Sequence, residues 1–132
     1  MEINRTKTCP SLVRCFWKMH RNNSINAFRM TGQGLFPNQE VQIYTWPDAT
    51  LREICELLQD VVPSAADYNA KLDISLVCLD RNGNFCMKQV SNNQHLYRTP
   101  GPNDGKTLEE CKYVIGDYLD IAVKFLNKGG GR

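Results

Sequence analysis

The sequence has no uninterrupted apolar run approaching the ~20 residues a membrane-spanning helix needs. Its opening, MEINRTKTCP, is polar, so neither a spanning segment nor a secretory signal is expected. It has no C-x-x-C pair, and its two histidines, His20 and His95, complete no zinc-like spacing with the six cysteines at 9, 15, 55, 78, 86 and 111. No metal and no other cofactor is therefore expected. Ser11, Ser24, Ser64, Ser75 and Ser91 all lack a nucleophile-elbow context. Asp48, Asp117 and Asp120 invite a reading as paired carboxylates. Asp48 and Asp117, however, sit beside an expected helix start and a glycine turn, where aspartate is favoured for local hydrogen bonds. No catalytic residue is assigned.

A further absence is of one charge. Between Ile3 and Gln39 there is no acid, whereas Arg5, Lys7, Arg14, Lys18, Arg21 and Arg29 are all basic. All 14 acids lie outside this stretch, so the amino-terminal quarter is electropositive and the remainder mildly acidic. The segment is either a solvated basic loop or a patch for an acidic partner or an RNA backbone. The net charge of +2 is too small for general nucleic-acid affinity.

What is present suffices for one domain. The chain has 132 residues, 42% of them hydrophobic and 23% charged, the balance of a folded protein able to build a core without staples. Cys15, Cys55, Cys78 and Cys86 fall within expected strands or the helix, where a reduced thiol acts as a small hydrophobe. Reduced cysteines in an intracellular compartment are expected ahead of disulfides or metal ligation. The glycosylation patterns at Asn4-Arg5-Thr6 and Asn22-Asn23-Ser24 are then coincidental.

The stretch Val41 to Val62 organises the rest. Val41, Ile43 and Thr45 alternate with Gln42, Tyr44 and Trp46, the period of a strand with unlike faces. Pro47 and Asp48 stop it. Thr50 with Glu53 forms a capping box. Leu51, Ile54, Cys55, Leu58, Val61 and Val62 then give one apolar stripe, ended by Pro63.

A striped helix needs a sheet to cover. Strands are predicted over Leu12 to Trp17, over Leu72 to Cys78, over Phe85 to Val90 after the Asn82-Gly83 turn, and from Tyr118 to Phe125. Thr107 and Glu110 repeat the capping-box spacing and predict a short turn with Leu108 and Cys111 inward. Residues 18–40 and 91–106 read as long loops, the former pinned by Phe28, Leu35 and Phe36. The predicted fold is α+β, a mixed five-stranded sheet around one helix on the ubiquitin-like β-grasp plan, with first and last strands adjacent and parallel. A flexible lead-in over 1–8, a domain over 9–126 and a flexible Gly-rich tail over 127–132 complete it.

Lys7-Thr8-Cys9-Pro10 with Leu12 and Arg14, then Tyr44-Thr45-Trp46 with Asp48-Ala49-Thr50-Leu51 and Glu53, then Ile115 to Ala122 (IGDYLDIA) occur in that order. Together they resemble the Sin-three-associated polypeptide family, the small subunit of histone deacetylase corepressor complexes. The two long loops and the glycine tail depart from the family pattern. The resemblance implies a ubiquitin-like fold and a nuclear, non-enzymatic adaptor, monomeric on its own. Its implied partners are a corepressor scaffold and, in a splicing or exon-junction-associated assembly, an RNA-recognition-motif protein with acinus or pinin. RNA is then contacted only through partners, and no membrane is involved. Two other readings stand beside it: a ubiquitin-like modifier conjugated through Gly130-Gly131, and an RNA-binding module using the basic 3–39 segment.

If the helix covers one sheet face, the other is the natural docking surface. Arg14, Phe16, Tyr44, Trp46 and Tyr118 share that phase and are the candidate partner-binding residues, of types that dominate binding hot spots. Trp46 either joins this patch or caps the core from the strand end, and Phe16 either joins it or faces inward.

Overall fold

The computed structural model describes residues 4–23, 25, 28, 39–67, 70–94 and 105–125. Among the described residues, five strands and the helix of the central stretch follow in the predicted order: β1 (Ser11–Met19), β2 (Glu40–Thr45), α1 (Leu51–Val61), β3 (Ala70–Leu79), β4 (Phe85–Gln94) and β5 (Tyr118–Phe125), with a 3₁₀ turn at Pro63–Ala66. They form a single mixed sheet in the order β2-β1-β5-β3-β4. β1 runs parallel to β5, with Cys15 opposite Leu119 and Trp17 opposite Ile121. The other neighbours are antiparallel. The expected adjacency of the first and last strands is thus present.

The core follows from strand alternation. Val13 and Cys15 of β1, Ile43 of β2, Leu119, Ile121 and Val123 of β5, and Leu72, Ile74 and Leu76 of β3 all point to one face. Leu51, Ile54, Cys55 and Leu58 of α1 bury themselves against it. Half of the expected capping box closes the helix start: Glu53 N–H donates to Thr50 Oγ1 at 3.1 Å. The Glu53 carboxylate is taken by Arg5 instead. A second orphan donor, Leu51 N–H, finds the Lys106 carbonyl at 2.8 Å, because the 105–113 segment folds across this end of the helix. There Thr107 and Glu110 do form a reciprocal box, at 3.0 and 3.1 Å, and Leu108 and Cys111 turn inward as predicted.

The β3–β4 turn is built as its sequence demands. Gly83 has φ +82°, and Asp80 Oδ1 accepts from Asn82 and Asn84 N–H at 2.9 and 3.0 Å. β4 continues past the predicted end at Val90, because Ser91 and Gln94 still pair with Ile74 and Leu72 of β3. These polar residues carry no strand pattern of their own. The ladder of a neighbouring apolar strand overrides their weak propensity.

The expectation of an open second sheet face is corrected. Asn22, Asn23, Ile25 and Phe28, which follow β1, lie back over it. Phe28 packs with Phe16 and Val77 into a second buried cluster, flanked by Ile25, Phe85, Met87 and Tyr118. The cause is polar as well as apolar. Asp120, at 0% exposure in mid-sheet, would be a stranded charge if left alone. Its carboxylate accepts from Asn23 Nδ2 at 2.7 Å, Asn23 N–H at 2.9 Å and Asn22 Nδ2 at 2.9 Å. The Phe28 pin forms as predicted, and Leu35 and Phe36 fall outside the described residues. So do most of the second long loop and the whole glycine tail.

Candidate partner-binding face

Arg14 projects from β1 beside Tyr118 of β5, its direct cross-strand partner. Its guanidinium lies 5.2 Å from the ring centroids of both Phe16 and Tyr118, a cation–π arrangement. It is held there by a fork onto Glu40, with Nε–Oε2 at 2.6 Å and Nη2–Oε1 at 2.9 Å. The pairing raises the Arg14 pKa, and hydrogen bonding from Arg14 lowers that of Glu40 below its ordinary 4.5. Tyr118 stacks on Phe28 with centroids 6.1 Å apart and lies 5.7 Å from Phe85. An aromatic platform therefore runs from Arg14 toward the β3–β4 hairpin.

At that end it opens into a groove of about 520 Å³, lined by Val77, Cys78, Leu79, Phe85 and Tyr118 on one side and residues 112 and 114–117 on the other. The second wall is a tight turn. Asp117 N–H donates to the Val114 carbonyl at 2.8 Å, and Val114 N–H donates back to Asp117 Oδ2 at 2.9 Å. Gly116 supplies the φ of +104° that the turn needs. Burial raises the Asp117 carboxyl, against the lowering effect of that N–H bond. With both ends tied, Val114 and Ile115 face outward at 66% and 67% exposure, and Leu79 across the groove is 59% exposed. Exposed aliphatic residues beside an aromatic floor, with Lys112 and Asp117 at the rim, suit an apolar side chain carried on a polar chain.

No group of three or more histidine, cysteine or acidic residues among the described residues is placed to hold a metal ion. No described helix is long and apolar enough to cross a membrane.

Residues 2–123 match the family model of Sin3 associated polypeptide p18 (SAP18). The chain belongs to the SAP18 family. It is 37% identical over 121 residues to the histone deacetylase complex subunit SAP18 of Arabidopsis thaliana, covering 92% of this chain and 78% of that protein. Against the corresponding Homo sapiens subunit it is 36% identical over 123 residues, covering 92% and 77%. The probable subunit of Caenorhabditis elegans is 33% identical over 128 residues, covering 96% and 76%. The family resemblance drawn from the three sequence motifs is therefore correct.

The five candidate residues separate in space. Arg14 and Tyr118 meet as described, and Tyr44 stands 64% exposed on the edge strand β2. Phe16 has no exposed surface, so it supports the platform from beneath and presents nothing to a partner. Trp46 belongs to another assembly, at the amino end of α1. Its Nε1 donates to the Thr8 carbonyl at 2.6 Å, and the Arg5 guanidinium lies 4.7 Å from its ring centroid. Arg5 also forks onto Asp48 and Glu53, so residues 4–8 are tethered to the helix start. Sequence reasoning missed the groove. Its only signal was Val114-Ile115 directly before Gly116, an apolar pair with no strand period to bury it.

Proposed function

We propose that this chain is a non-catalytic adaptor subunit of histone deacetylase corepressor complexes in the nucleus, built on a ubiquitin-like β-grasp. The observation that carries the reading is the near full-length match to relatives that are themselves named as subunits of that complex. The β2-β1-β5-β3-β4 order, with β1 and β5 parallel, supports the β-grasp assignment. Partner proteins dock on the Arg14–Tyr118 platform and its groove, with Tyr44 at one margin and Ile115 at the other. A corepressor scaffold is one such partner. The splicing-associated assembly, with an RNA-recognition-motif protein and acinus or pinin, is a second setting that follows from the family resemblance.

Two of the basic residues in the 3–39 segment are already engaged, Arg5 by Asp48 and Glu53 and Arg14 by Glu40, which weakens the case for direct RNA binding. The modifier reading depends on residues 130 and 131, outside the described residues, and gains no support.

The test is affinity capture from nuclear extract of cells that express the chain, scored by deacetylase activity and by mass spectrometry of co-purified proteins. The wild type should retain deacetylase activity, and Tyr44→Ser with Ile115→Ser should lose it at an unchanged melting temperature. Wild-type capture without any deacetylase subunit would overturn the complex assignment. Undiminished capture by the double variant would overturn the surface.

A further inference from the structure

Cys78 and Cys86 read from the sequence as two apolar fillers. In the fold they stand directly opposite each other across β3 and β4, with their sulfurs 3.4 Å apart. Both are partly exposed, and Cys78 lines the open groove. Cys15, Cys55 and Cys111, by contrast, are buried, and Cys9 is exposed. Opposed residues in an antiparallel ladder have Cα atoms about 4.5–5.5 Å apart, inside the roughly 4.4–6.8 Å window of a disulfide. The opposed register and the 3.4 Å sulfur separation together place the pair within reach of a disulfide.

We propose that Cys78 and Cys86 form a reversible thiol–disulfide modification site, oxidised by hydrogen peroxide and reset by small thiols. One thiol loses its proton, and its sulfur attacks the peroxide. The O–O bond breaks, water leaves and a sulfenic acid remains. The second sulfur attacks the first, the S–O bond breaks, and the hydroxyl departs as water with the second thiol's proton. Two electrons pass from the thiols to the peroxide, and the products are one disulfide and two waters. Burial, then the S–H···S contact with Cys86, pushes the Cys78 thiol up to about 11, so its thiolate is scarce at neutral pH and ring closure quickens with alkali. Closure would staple the hairpin wall of the groove beside Leu79 and Phe85.

The full-length reduced chain, treated with a slight excess of hydrogen peroxide at pH 8, should lose the mass of two hydrogens and recover it with dithiothreitol. Trypsin cuts after Lys71, Arg81 and Lys88, so peptides 72–81 and 82–88 should appear joined. Melting temperature should rise by on the order of 5 °C. Cys78→Ser and Cys86→Ser should each abolish the mass loss, with reduced-state melting near that of wild type. Oxidation confined to Cys9, overoxidation of Cys78 or Cys86 without a joined peptide, or an unchanged mass loss in either serine variant would overturn the proposal.

Discussion

The rings of Phe16 and Phe28 meet edge to face, with centroids 5.3 Å apart and planes at 79°. Neither has any exposed surface, so this contact seals the sheet face that the helix leaves uncovered. It also explains why the segment after β1 returns to the sheet. Phe28→Ala should cost roughly 3–5 kcal/mol, the range for emptying a buried aromatic site. Urea denaturation measures this, with Tyr44→Ala as an exposed control expected to stay within about 0.5 kcal/mol of wild type. A near-neutral Phe28→Ala would mean that the second cluster contributes little to folding.

Asp120 tests the polar half of the same closure. Asp120→Ala removes the acceptor for three donors on Asn22 and Asn23, at a cost of about 1–3 kcal/mol if they stay buried. Burial raises the Asp120 pKa above its ordinary 3.8, against its hydrogen bonds to Asn23 and Asn22. A raised carboxyl binds its proton in the fold at a pH where the unfolded chain has released it. Its contribution to stability therefore grows as pH falls toward 3.8 and is lost as pH rises through the folded value. Urea melts of wild type and Asp120→Asn between pH 7 and 4 should show the wild type gaining relative to the variant as pH falls. The opposite slope would show that hydrogen bonding, not burial, dominates at this carboxylate.

Much of this fold was legible, and the failures share a cause. Alternation marked β2, β3 and β5, the Asn82-Gly83 turn marked β4, and Thr50 and the Thr107–Glu110 pair marked a helix start and a turn, because those signals act within a few residues. The parallel pairing of the first and last strands was reachable because one striped helix admits few sheets. The Asn22–Asp120 bond spans 98 positions and the Arg5–Glu53 bond 48, and no local period reports either. Asn22 and Asn23 stood out only in a coincidental glycosylation pattern. Phe16 and Arg14 share a strand phase, yet one is buried and the other paired, because Phe28, beyond the end of β1, covers the first. Of the five candidate site residues, phase alone brought Arg14 and Tyr118 together correctly, and it could not tell that Trp46 had left the sheet for the helix end.

The Arg14–Glu40 fork carries the opposite pH signature to Asp120. Hydrogen bonding from Arg14 lowers the Glu40 pKa below 4.5, so this pair's stabilisation is complete above that value and is lost as pH falls through the folded pKa. Both side chains are partly exposed, so solvent screening limits Glu40→Gln to about 1 kcal/mol at pH 7. The cost should shrink as pH falls through the folded value, where wild type becomes protonated as well. Denaturant melts of the two proteins across an acid pH series check it. A cost that persists at low pH would assign the effect to packing of Glu40 rather than to its charge.

Arg5 joins three features that the sequence kept apart: the lead-in, Trp46 and the first turn of α1. Its fork onto Asp48 and Glu53 is about one-third exposed, so the ion pairs alone are worth roughly 1 kcal/mol or less. The larger consequence of Arg5→Ala is local. Without the guanidinium over its ring, the Trp46 indole gains water, and its emission should shift to the red in a Trp17→Phe background. Tryptic cleavage after Lys7 should accelerate severalfold as residues 4–8 detach. Glu53 remains favourably placed in the first helical turn, so far-ultraviolet circular dichroism should not change. Arg5→Lys should behave like alanine in the proteolysis assay, because an ammonium cannot fork onto two carboxylates while lying flat on an indole. If lysine instead restored protection, point charge alone would hold the segment, and the stacking on Trp46 would be incidental to it.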